Sequence, residues 1–149
     1  MITAEQIKKL RDQTGISMIS CKNALEEAGG DVEKALALLA AKGVKVAEAK
    51  SERTTKAGII EAYIHPNKQI GVLLELRSET DFVAKNHEFQ VLAHDICMHI
   101  AASFPQDVTE LLSQPYIKNP DITVADYIKG LIQKFGENIE IGSFKRFNI

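Results

Sequence analysis

Gly58-Ile59-Ile60-Glu61-Ala62-Tyr63-Ile64-His65-Pro66-Asn67-Lys68-Gln69-Ile70-Gly71-Val72-Leu73-Leu74-Glu75-Leu76 is the stretch in which the hydrophobic period of this 149-residue chain changes. Before it, apolar residues recur at helical spacing. Within it they follow a period of about 2. Residues 59–64 and 70–76 are rich in Ile, Val, Leu and Tyr, which suit a pleated, half-buried surface. His65-Pro66-Asn67-Lys68 lies between them and carries Pro and Asn, both disposed to turns. The reading is a β-hairpin.

Downstream the pattern returns to helix. Over residues 86–102, Phe89, Leu92, Ala93, Ile96 and Ile100 form one apolar stripe. Pro105 cannot continue it. Residues 103–122 hold Pro105, Pro115 and Pro120 and read as loop, with Leu111-Leu112 in one turn of helix. Residues 123–135 form a second helix with Val124, Tyr127, Ile128, Leu131 and Ile132 apolar, ended by Gly136. Ile139, Ile141, Phe144 and Phe147 then mark a third strand over residues 139–147. The expected product is α+β: a small antiparallel three-stranded sheet with helices on one face.

Upstream, residues 1–42 read as three short helices. Thr3-Ala4-Glu5-Gln6 is a capping-box pattern, with Ile7 and Leu10 on one face behind it. Thr14-Gly15 stops that helix and Ser17 caps the next, whose stripe is Met18, Cys21, Ala24, Leu25 and Ala28. Gly29-Gly30 breaks it. Asp31 caps a third helix bearing Val32, Ala35, Leu36 and Leu39, which Gly43 is expected to close. Residues 43–57 carry Lys45, Lys50, Arg53 and Lys56 with Glu48 and Glu52 among small residues, and read as a basic linker, part helical. The organisation is then 1–42 helical module, 43–57 linker, 58–149 core.

Composition excludes several classes. The chain is 45% hydrophobic and 26% charged with a net charge of -2. A dedicated nucleic-acid binder would carry a clearly basic surface. No run of about 18 apolar residues is present, so no membrane span is expected. Met1 to Gln6 is polar and acidic, unlike the basic start and apolar run of a secretory signal. Two cysteines, Cys21 and Cys97, make no disulfide framework and fit a reducing cytosol.

No catalytic set stands out, and none is expected. His94 and His99 are five apart, not the four that place two ligands on one helical face. His87 and His94 share a face about 10 Å apart, too far to chelate one metal. The four histidines read as solvated or half-buried, and no metal is expected. Cys97 and Cys21 read as small core residues. No glycine pattern matches a phosphate-cradling P-loop, so no nucleotide is held by the chain itself. His94-Asp95 are adjacent on a helix and point different ways.

The informative connection is Ser78-Glu79-Thr80-Asp81-Phe82-Val83-Ala84-Lys85-Asn86, joining the second strand to the long helix. On the residues alone, Phe82 either folds back as core or projects as a wedge into a partner; flanking charge suits an interface anchor. The run from Glu79 to Asn86 resembles the signature of elongation factor Ts. Leu10-Arg11-Asp12-Gln13-Thr14-Gly15 with Met18 and Cys21-Lys22-Asn23-Ala24-Leu25 resembles a second family segment. Gly29-Gly30-Asp31-Val32-Glu33-Lys34-Ala35 resembles a third, and Phe135-Gly136-Glu137-Asn138-Ile139 a fourth, all in the family's order.

That resemblance implies a ubiquitin-associated-like N-terminal module, a linker and a core domain. It implies a guanine-nucleotide exchange factor, with no cofactor of its own, for the translation GTPase elongation factor Tu in the cytoplasm. The implied docking residues are Thr80, Asp81, Phe82, Val83, Ala84, Lys85 and Asn86, with Arg11, Met18 and Ile19 in the module. Asp81 and Phe82 would be the intruding pair, and Thr80 would cap the turn that presents them. For Met18 the core and docking readings stay open. Longer family members carry two core subdomains and a projecting helical hairpin. This chain has room for one subdomain and, between Ala102 and Ser113, no hairpin. It resembles the short form, so a homodimer through the core sheet, giving a 2:2 complex, is expected. Ile19 stands where the family often has a second Met. The competing readings are an adaptor built on the N-terminal module and an RNA binder using the linker. The adaptor reading is opposed by Ile16, which follows Thr14-Gly15 where a ubiquitin-binding module usually has an aromatic. The RNA reading is opposed by the lack of interleaved aromatics.

Overall fold

A computed structural model describes residues 1–149. Three helices come first: α1 (Ala4–Thr14), α2 (Met18–Glu27) and α3 (Val32–Lys50). Thr3 and Gln6 complete the capping box, and Ser17 and Asp31 cap α2 and α3 through backbone amides three residues on. Leu10, Cys21, Ala24, Leu25, Ala35 and Leu39 form a small core among them.

The third helix corrects the sequence reading. Gly43 does not close it; the helix continues to Lys50, so residues 44–50 of the expected linker are helical. Gly43 is a packing residue. It is buried where α3 packs on α7 (Val124–Phe135), and a Cβ there would meet the end of the Gln133 side chain at 2.6 Å, a contact relieved if that side chain swings aside. One helix thus serves two cores: Leu39 belongs to the small one and Ala47 to the larger.

The hairpin forms as expected from β1 (Ala57–Ile64) and β2 (Ile70–Ser78), antiparallel with Ala62 opposite Leu73. The Asn67 side-chain oxygen accepts from the Gln69 amide at 2.9 Å across the turn. β5 (Ile139–Asn148) pairs with the other edge of β2, giving the order β1-β2-β5. A register shift between Leu74 and Leu76 places two residues of β5, Gly142 and Ser143, against one of β2, Glu75. That bulge lets Phe144, rather than residue 143, follow Ile141 onto the inner face.

Helices α5 (His87–Ser103) and α7 cover the inner face. Val72, Leu74, Leu76, Phe89, Leu92, Ile96, Ile100, Val124, Ile128 and Ile132 anchor the larger core. Cys97 lies in it, and burial, reinforced by the Glu61 charge, pushes its thiol up to about 12, an unreactive state.

Residues 103–122 are more ordered than their prolines suggested. Phe104 ends α5 in the left-handed conformation, with Arg146 stacked on its ring at 3.5 Å and donating to the Ala101 carbonyl. Helix α6 (Val108–Ser113) holds the Leu111-Leu112 turn, and β3 (Pro115–Tyr116) pairs with β4 (Asn119–Thr123). No projecting hairpin separates α5 from α6.

A buried polar network holds this hairpin to α5. Asp95 accepts from Tyr127 Oη at 2.9 Å and from Lys118 Nζ at 2.6 Å. His99 is fully buried, not half-solvated as its sequence setting implied. Its Nδ1 accepts from the Ile117 amide at 3.3 Å and its Nε2 pairs with Gln114 Oε1 at 2.9 Å. That pattern requires the neutral ring with its proton on Nε2. Every buried side-chain nitrogen and oxygen has a partner.

Candidate partner-docking site

The candidate site begins where the sheet stops. Ser78 opposite Ile139 is the last rung between β2 and β5. Beyond it the chain turns into α4 (Asp81–Ala84), one turn of helix. Thr80 is its N-cap, as the resemblance implied: its backbone is extended and its Oγ1 accepts from the Val83 amide at 3.4 Å. The Lys85 amide closes the turn on the Asp81 carbonyl at 3.0 Å.

The turn divides the signature residues by face. Val83 and Ala84 point inward and join the larger core. Asp81, Phe82, Lys85 and Asn86 are exposed. Phe82 stands 88% exposed, so the reading that folds it back as core does not hold. A phenylalanine left this open on an anchored turn is accessible to a partner. Asn86 has a local task besides: its side chain caps α5 by accepting from the Glu88 amide at 2.8 Å.

The two segments below the last rung hold each other by side chains. Glu137 Oε1 accepts from the Thr80 amide at 3.0 Å and Oε2 from the Thr80 hydroxyl at 2.7 Å. Glu79 Oε2 accepts from the Asn138 amide at 2.8 Å, and Arg53 lies 3.7 Å from its other oxygen. Asn138 is buried and donates to the Arg53 carbonyl at 3.0 Å and to Glu140 Oε1 at 2.8 Å. These contacts tie the segment after α3, the turn and β5 together. The sequence showed Glu137 and Asn138 only as part of a family-like motif and gave them no role. Their position just before a strand that pairs with the one entering the signature was the available signal.

In the N-terminal module, Met18 is half-exposed and Ile19 is open at the start of α2. Cys21, Ala24 and Leu25 take the core side, so Met18 is a surface residue of that stripe. Arg11 is exposed near the end of α1. None of these three joins the core. No group of three or more His, Cys, Asp or Glu side chains converges anywhere in the chain.

Comparison with known proteins points to one family. The family model described as Elongation factor TS matches residues 79–149. An Elongation factor Ts of Carboxydothermus hydrogenoformans is 42% identical, over 100% of this chain and 89% of its own length. Those of Thermodesulfovibrio yellowstonii and Caldanaerobacter subterraneus subsp. tengcongensis are 41% and 40% identical, each over 99% of this chain and 96% of their own. The first alignment spans 194 positions against 149 residues here, so at least 45 positions of that relative have no counterpart in this chain.

Proposed function

The chain belongs to the elongation factor Ts family of translation elongation factors, and on that premise we propose that it is a cytoplasmic guanine-nucleotide exchange factor for the GTPase elongation factor Tu. The observation that carries this reading is Phe82, an exposed aromatic on a turn whose next two residues are locked in the core. Such a side chain enters a partner without first being ordered, which lowers the entropic cost of docking.

The mechanism needs no reaction chemistry and no cofactor. A GTPase of this kind holds GDP through phosphate contacts and a Mg²⁺ ion. Phe82 wedges between elements of the partner near that ion, and Asp81 beside it hydrogen-bonds groups that the closed state uses. The opened, nucleotide-poor state then binds this chain better than the closed one. Linkage makes the effect reciprocal: the factor by which this protein weakens GDP binding is the factor by which GDP weakens its own binding. Entering GTP ejects it. Arg11, Met18 and Ile19, on the ubiquitin-associated-like module, supply a second contact on the GTP-binding domain.

A second copy of the chain completes the assembly. The outer face of the sheet exposes Ile60, Ile64, Leu73 and Phe147. The pairings Ala62–Leu73, Ile64–Gly71 and Gly71–Phe147 put them on one surface. An open apolar sheet face of this kind supports face-to-face dimerisation and a 2:2 complex. Acceleration of GDP release from elongation factor Tu by substoichiometric amounts of this protein tests the reading; no acceleration by folded protein would refute it.

A further inference from the structure

The Gly136-Glu137-Asn138 segment lies outside the signature run, yet it grips Thr80 at the start of that run's helical turn. Helix α7 ends at Gly136 in the left-handed conformation, φ 73°, which turns the chain sharply into Glu137. The Glu137 carboxylate then faces Thr80 squarely, with one oxygen on its amide and the other on its hydroxyl. We infer that Glu137 is a positioning residue for exchange: by fixing Thr80 it holds the helical turn that presents Asp81 and Phe82. The inference rests on the reading of Phe82 as the intruding side chain.

The chemistry runs in one direction. The Thr80 hydroxyl has one proton and spends it on Glu137 Oε2 at 2.7 Å. A lone pair of Thr80 Oγ1 is thereby turned toward the Val83 amide, the cap of α4. Removing the carboxylate frees the hydroxyl to rotate away from the cap and leaves the exposed Thr80 amide to water. A single helical turn has no cooperative length to hold itself: burial of Val83 and Ala84 fixes its inner side, and the Thr80 contacts fix its first residue. The opposite clamp, Glu79 on the Asn138 amide, stays in place and keeps the sheet end closed. The fold therefore survives while the angle of Phe82 is released.

The test is GDP release from elongation factor Tu, followed with a fluorescent analogue over a range of concentrations of wild type, Glu137→Ala, Phe82→Ala and the double variant. Glu137→Ala is expected to lower the maximal release rate about tenfold, the size of one charge-assisted hydrogen bond. The concentration giving half the maximal effect should move less than about twofold, because the contacts of the N-terminal module are untouched. In the Phe82→Ala background the same change should cost much less, since Glu137 acts through the turn and Phe82 is the main side chain that the turn presents. Were Glu137→Ala to unfold, Glu137→Gln keeps one acceptor oxygen for the Thr80 amide and is read instead, with a loss of about threefold. An unchanged rate in a folded Glu137 variant, with Phe82→Ala inactive, would overturn the positioning role and leave the wedge standing. An equal loss in both backgrounds would also overturn it, as a general structural effect. Full activity of Phe82→Ala would instead remove the reading on which the inference rests.

Discussion

Phe82 and Val83 are consecutive residues of one helical turn and face opposite worlds: Phe82 is 88% exposed and Val83 is 6% exposed. The core holds one and so aims the other. A side chain that merely escaped burial would sit on a loose loop; this one stands on a capped turn closed by the Lys85 amide.

Truncation should therefore have opposite consequences at two phenylalanines seven residues apart. Phe82→Ala removes no buried contact and is expected to change stability by less than about 0.5 kcal/mol. Phe89→Ala opens a cavity under the sheet, where the ring is wholly buried, and should cost about 3–5 kcal/mol. Urea denaturation of the two variants against wild type checks both; a large loss for Phe82→Ala would place that ring in the core after all.

Tyr127→Phe isolates one bond of the buried network. It keeps the ring stacked on Tyr116, 4.6 Å between centroids, and removes only the donor to Asp95. The Asp95 carboxylate, buried with Lys118 as its remaining partner, is left short of one hydrogen bond. A loss of about 1.5–3 kcal/mol is expected. No change in the denaturation midpoint would mean that water replaces the hydroxyl without cost.

His99 makes the fold sensitive to mild acid. Burial lowers its pKa below the ordinary value of 6.5, outweighing the Gln114 hydrogen bond, which raises it. Below 6.5 the unfolded chain takes up a proton that the folded chain refuses, so stability is complete above that pH and falls as the pH drops toward the lower folded value. Protonation would also put a hydrogen on Nδ1, facing the Ile117 amide that it now accepts from. Denaturation midpoints at pH 7.5 and 5.5 should differ more for wild type than for His99→Gln; equal differences would show that His99 titrates normally.

The outer sheet face gives a prediction about assembly. Leu73 is half-exposed at its centre, opposite Ala62 and Lys145. Leu73→Lys should leave the monomer folded, because the side chain touches no core, and should convert a dimer to a monomer by light scattering. A stable wild-type monomer at micromolar concentration would remove the dimer from the account.

How much of this was legible beforehand follows from what kind of contact decides each feature. The hairpin 58–76, the helices 87–103 and 124–135 and the last strand were readable because one face of each is buried, and burial writes a period into the sequence. Thr80 as a cap was readable through the family resemblance. The extension of α3 past Gly43 was not, because a glycine that stops a helix and one buried inside a helix–helix contact look alike in sequence. The β3–β4 hairpin was hidden by prolines that sit at strand ends and edges, where no ladder amide is needed. His99 and Asp95 fall on the apolar stripe of α5, which was a signal for buried polar groups; their partners, Gln114 and Lys118, lie on a segment read as loop. The exposure of Phe82 could not be settled by its local sequence, since an aromatic beside an acid suits a core edge and an interface alike. It took the burial of Val83 and Ala84 to fix the direction of the turn.

The most direct measurement is the rate of fluorescent GDP release from elongation factor Tu, alone, with this protein, and with its Phe82→Ala variant at equal concentration and verified fold. The account predicts strong acceleration by the wild type and loss of most of that acceleration in the variant. Acceleration that survives Phe82→Ala unchanged would contradict the claim that the exposed ring opens the nucleotide site.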